Sequence, residues 1–173
     1  MRFMVSREEA VRTLQEGHAA IYDRLARLSE EQLGRPGTIG EWSAGDLVGH
    51  LAFWEELALD AIAAWYEGRM PRAEEIFSRR GIDDANAEDV ARKRERSLEE
   101  VRRAAEETHR DLLDQLAGLS NDEWQSEPPY ESDRPRPLGE RLGGILGAPK
   151  RPFGHAFAHV EDLDAYLASA DRR

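Results

Sequence analysis

Trp42-Ser43-Ala44-Gly45-Asp46-Leu47-Val48-Gly49-His50-Leu51-Ala52 is the stretch from which the fold is read. Ser43 with Asp46 three residues on has the spacing of a capping box, Asp standing in place of the usual Glu, and so marks a helix start. Leu47, His50, Leu51, Trp54, Leu57, Ala58, Ala61 and Trp65 then recur at helical spacing, which predicts a helix over residues 44–66. His50 falls on its buried face. An imidazole there needs a partner, because an unsatisfied buried polar group costs about 1–3 kcal/mol.

Upstream, Ser6 with Glu8 and Glu9 reads as a cap and an acidic first turn, and Val11, Leu14, His18, Ile21, Leu25 and Leu28 give a helix over 7–28. His18 lies on that inward stripe, either as a packed core histidine or as one that faces the same cavity as His50. Residues 29–41 carry Gly34, Pro36, Gly37 and Gly40 and read as a loop. Downstream, residues 68–85 form a long connection with one short helical turn at 73–79. Asn86 then caps a helix that runs to Gly118, with Val90, Ser97, Val101, Ala105, Thr108, Leu112 and Leu116 facing in. Its alternating charges over 92–100 read as a solvated face, and His109, one position off the stripe, as a boundary residue.

The prolines at 128, 129, 135 and 137 forbid a helix through residues 120–138. Leu138, Leu142, Ile145 and Leu146 suggest a short helix before Gly147 and Pro149 break the chain. The last helix is placed from Pro152 or Phe153 to Ala170, with His155, His159, Leu163, Tyr166 and Leu167 on its inner side. Four amphipathic helices with long crossover connections, and no strand-like alternation, imply an all-α four-helix bundle forming one domain over residues 1–173.

The totals narrow the chemistry. A chain of 173 residues buries a core without staples, and with no cysteine it has neither disulfides nor thiolate metal sites. A net charge of -11 repels phosphate backbones, so nucleic acid is not expected as a partner. No apolar run approaches a membrane span and the first five residues lack a signal peptide's apolar region, so a cytoplasmic protein is expected.

Two of the five histidines, His155 and His159, are spaced i,i+4 and would stand on one helical face. Two imidazoles are fewer than a transition-metal site needs, and His50 on a neighbouring helix is the candidate third ligand. Three neutral nitrogens leave a divalent ion open to water or substrate, the arrangement of a catalytic site. Imidazole ligation suits zinc first and nickel second; the usual iron triad includes a carboxylate that is missing here. Asp46 and Asp162 are placed to orient the imidazoles, although each is read first as a capping or surface acid. Trp54, one turn after His50, is read first as a core aromatic and otherwise as a pocket wall.

The Trp42-Ser43 helix start leading to His50, together with the His-x-x-x-His of the last helix, resembles the DinB-like (DinB/YfiT-type) superfamily. That resemblance implies a four-helix bundle, frequently a homodimer, with His50, His155 and His159 as metal ligands. It also implies thiol-dependent S-transferase or isomerase chemistry with bacillithiol, mycothiol or glutathione as cosubstrate. Mycothiol-dependent members often have Glu where this chain has His155. The ClbS/DfsB branch is similar in bundle layout but often lacks the triad. The expected function is therefore a metal-dependent thiol S-transferase or hydrolase acting on a reactive small molecule, and the alternative is a protein that sequesters such a molecule without turnover.

Overall fold

The three longest helices, and two short ones, begin where a serine hydroxyl satisfies a first-turn N–H that has no partner inside the helix. Ser6 accepts from the Glu9 N–H at 3.1 Å and starts α1 (Arg7–Leu25). Ser29 starts the single turn α2 (Glu30–Gly34). At Ser43 the capping box is reciprocal: the Asp46 N–H donates to Ser43 Oγ at 3.0 Å and the Ser43 N–H to Asp46 Oδ2 at 2.9 Å. The helix it opens, α3 (Ala44–Glu67), is the longest and carries His50 and Trp54 buried. The computed structural model describes residues 5–170; most of the N-terminal stretch read above for a signal peptide, residues 1–4, lies outside them.

Beyond α3 the connection carries a helical turn where residues 73–79 are read as one, and more of it is helical than expected. A short α4 (Arg72–Glu75) runs into a π-helical turn (Ile76–Arg80), and α5 (Ile82–Lys93) follows at once. Asn86 therefore lies inside α5 and does not cap it; its Oδ1 accepts from Trp54 Nε1 at 3.1 Å. Nor does one helix run on to Gly118. The chain breaks at residues 94–97 and restarts as α6 (Leu98–Gly118), because Ser97 and Glu100 form another reciprocal capping box. Then come α7 (Asn121–Gln125) and α8 (Leu138–Ile145). The last helix starts later than expected, since Phe153 has φ 59°, a left-handed value that no first helical residue adopts. A 3-10 turn (Ala156–His159) leads into α9 (Val160–Ala170).

The long helices form the bundle: α3 packs along α6, α1 lies against α6 and α9, and α5 and α8 cover further flanks of α3. Leu57, Ala58, Ala61, Leu112, Leu116 and Leu142 are fully buried at one end of the core, and Ile21, Ala44, Leu47 and Leu163 at the other. The fold is all-α; among the described residues β pairing is limited to two isolated bridges, and no helix is long and apolar enough to cross a membrane.

Two close approaches fix the flanks. Lys93 of α5 lies across α3 at Gly49, where an added Cβ would stand 3.0 Å from Lys93 Cδ, and its Nζ donates to the Gly49 carbonyl at 2.8 Å. The same ammonium is 3.0 Å from Asp89 and 3.1 Å from Glu56, so a buried cation is held between two carboxylates and a carbonyl. On the other flank a Cβ at Gly139 would come within 2.3 Å of the Trp124 ring. Gly139→Ala should therefore force α8 away from α7 and cost about 2 kcal/mol, an overpacking penalty read as a lower thermal midpoint.

Candidate metal centre

His50 arrives from the first half of α3, while His155 immediately precedes, and His159 ends, the 3-10 turn that α1 covers. The sequence separation of four does not stack the pair on an α-helical face, because the backbone there turns every three residues. The rings converge nonetheless. His155 Nε2 is 3.1 Å from His50 Nε2 and 3.4 Å from His159 Nε2, and the three rings meet edge to face. One ligand atom from each lies within 4.8 Å of the others.

Hydrogen bonding among the three accounts poorly for this arrangement. His50 Nδ1 is buried with no partner, so His50 satisfies at most one of its two nitrogens within the cluster. The spacing does fit a shared cation: nitrogens about 2.0–2.1 Å from a tetrahedral ion stand roughly 3.3 Å from one another. Burial, followed by the neighbouring imidazoles, pushes His50 down to about 2 and His155 to about 4; burial also lowers His159, against the pull of Asp162. All three are neutral near pH 7, which leaves their lone pairs available for a cation.

The surrounding residues divide. Asp162 stands 3.5 Å from His159 Nδ1, an ion-pair distance and longer than a hydrogen bond, on the side away from the cluster. Asp46 is engaged elsewhere, by the Ser43 cap and by the Arg94 guanidinium at 2.8 and 3.1 Å, so it serves the helix start. Trp54 is both core and wall: it is buried, and its ring faces His155 edge-on at 6.1 Å. His18 does not join the three. It stacks between Tyr22 and His109, with centroids 4.1 and 4.0 Å away, and lines a small internal cavity that His155 also borders.

His109, expected at the boundary, is buried and lies 2.8 Å from Glu55 Oε1. The inward stripe of α6 runs Ala105, His109, Leu112, Leu116, one position off the reading that put Thr108 inside. Reading the sequence also missed most of the cleft above the histidines. It measures about 360 Å³ and is walled by Trp42, Trp54, Phe77 and Ile82 on one side and by Gly144, Ile145, Gly147, Ala148 and Pro149 on the other. Trp42 sits 4.8 Å from the His50 ring, and Phe77 stacks on Trp54 at 5.8 Å.

The depressed imidazoles set an acid limit. Unfolded, a histidine titrates near 6.5, whereas folded His18 and His155 stay neutral down to about 4. Below pH 6.5 the unfolded chain binds more protons, so metal-free protein should lose stability as the pH falls from about 6.5 toward 4 and hold it above 7. Urea midpoints measured across that range check the slope; a midpoint independent of pH there would contradict it.

A family model described as the DinB superfamily matches residues 7–162. The chain belongs to the DinB superfamily. No curated protein sequence matches it. Among solved structures, the colibactin self-resistance protein ClbS, in complex with a dsDNA, is similar with a TM-score of 0.73 and 18% identity over 93% of this chain and 96% of its own. The mycothiol-dependent maleylpyruvate isomerase gives 0.69 and 17% over 94% of this chain; this DinB-superfamily protein spans 63% of the isomerase's length. Such identities establish a shared fold.

The ClbS complex corrects one expectation. Nucleic acid was excluded on net charge, yet a protein of this fold is solved with dsDNA. The exclusion fails physically because net charge sums the whole surface, whereas phosphates respond to the few cations within a Debye length, about 8–10 Å.

Proposed function

We propose that this DinB-superfamily protein is a divalent-metal-dependent enzyme that activates a small thiol or a water for attack on a reactive, largely apolar small molecule. The observation that carries the reading is the convergence of three neutral Nε2 atoms, 3.1 and 3.4 Å apart, at the floor of an open cleft. His50, His155 and His159 would hold the ion, zinc or nickel by ligand type. When bound, such an ion lowers the pKa of a coordinated thiol or water toward neutrality. The chain's own residues do the rest. Asp162, 3.5 Å from the outer nitrogen of His159, faces that ring electrostatically, and Trp54, fixed by Asn86, keeps water from one side of the cleft. Trp42, Phe77 and Ile82 offer an apolar wall to the electrophile.

The test is to load the protein with zinc or nickel and supply bacillithiol, mycothiol or glutathione with a model aryl electrophile, with and without chelator. About one ion per chain and chelator-sensitive turnover are expected. No bound metal after loading would end the proposal. The likeness to a self-resistance protein supports a second reading, in which the cleft sequesters a reactive molecule or the protein engages dsDNA. Saturable binding of the electrophile without turnover, or retention of labelled dsDNA at physiological salt, would favour it.

A further inference from the structure

In a chain with net charge -11, residues 134–151 hold five cations and one acid. Arg141 of that set turns inward to Glu74 and to the Tyr130 ring, but Arg136, Lys150 and Arg151, with Glu140 the one acid, line an open groove of about 520 Å³. This groove and the histidine cleft share one wall, formed by Gly144, Gly147, Ala148 and Pro149. A ligand lying over that wall would reach both.

The wall is a tight turn. The Arg151 N–H donates to the Ala148 carbonyl at 2.9 Å and the Ala148 N–H to the Arg151 carbonyl at 3.0 Å, with Pro149 and Lys150 at the tip. Lys150 has φ 66°, the conformation for which such a turn ordinarily uses glycine. A lysine there is strained for no gain in packing, and among the described residues no carboxylate pairs with it or with Arg151. Arg151 is held in place instead, its guanidinium 3.6 Å from the Phe157 ring centroid. Arg136 is only loosely engaged, 3.8 Å from Glu140.

We propose that this groove is an anion subsite, in which Lys150, Arg151 and Arg136 take the carboxylate or phosphate of a ligand whose apolar part lies in the histidine cleft. The subsite rests on the cleft being the place where the ligand sits and does not depend on the metal. It selects amphipathic anions, because an anion receives no help from the rest of an acidic surface. The same oxyanion chemistry could come from a small molecule or from a phosphodiester backbone.

The experiment is amide-resolved NMR titration of the full chain, metal-free and zinc-loaded, with phenyl phosphate, with neutral benzyl alcohol and with a short dsDNA. Phenyl phosphate should shift the Lys150, Arg151, Gly144 and Gly147 amides in both forms, increasingly weakly as salt is raised; benzyl alcohol should not shift Lys150 or Arg151. Lys150→Gly should weaken phenyl phosphate about fivefold. The same change relieves the backbone, so its thermal midpoint should stay level or rise by roughly 2 °C, opposite in sign to what a structural lysine would give. Shifts with phenyl phosphate identify a small-molecule anion, and shifts at the same amides with dsDNA alone identify a phosphodiester. Unshifted Lys150 and Arg151 amides with both anions, or unchanged affinity in Lys150→Gly, would overturn the subsite. Because the metal-free form is titrated too, failure of the metal proposal leaves this result readable.

Discussion

His155→Ala is expected to weaken zinc binding by more than about a hundredfold, since even an outer partner of a metal-ligating histidine is worth 10- to 100-fold. It is the most demanding of the three positions to lose, because His155 Nε2 lies within 3.4 Å of both other nitrogens and is the atom through which the cluster is joined. His50→Ala and His159→Ala should follow, and Asp162→Asn should cost about tenfold by loosening the His159 ring. Competition against a chromophoric chelator gives these ratios. If all three alanine variants held zinc as tightly as the parent, the centre would have to be elsewhere.

Lys93→Met should cost about 3 kcal/mol, the low end for removing one partner of a buried ion pair. Asp89 beside it is almost wholly buried and would be left with Arg92 alone, while the Gly49 carbonyl would lose its donor. For a chain of this size the thermal midpoint should fall by roughly 6–12 °C. Adding Asp89→Asn to Lys93→Met removes the stranded charge and should restore part of the loss. A double variant no better than the single one would mean that the lysine stem packed against Gly49 carries the effect.

The helices α1 and α3 were legible because serine caps and apolar spacing agreed along their lengths. The α5–α6 break was legible too in principle, through Ser97 and Glu100, but Val90, Ser97, Val101 and Ala105 keep helical spacing straight across it. His109 was misplaced by one residue because a 3.6-residue period lets Thr108 or His109 complete the same stripe. The histidine cluster could be anticipated from one residue type at three positions. Its cleft could not: Phe77 is on a π-helical turn and the opposite wall is a proline-lysine turn, and neither has a period. The charge argument erred for a related reason, since composition says nothing about where the cations gather.

His50 and His155 lie 105 positions apart, so whatever joins them joins the second long helix to the end of the chain. An ion held there acts as a clasp on the C-terminal segment. Detaching α9 would first require the clasp to open, and that opening free energy would rise with the logarithm of free metal. Amide hydrogen exchange should then slow in residues 156–170 as metal is added, while the far end of α3 keeps its own pace, making one stretch of backbone a gauge of occupancy.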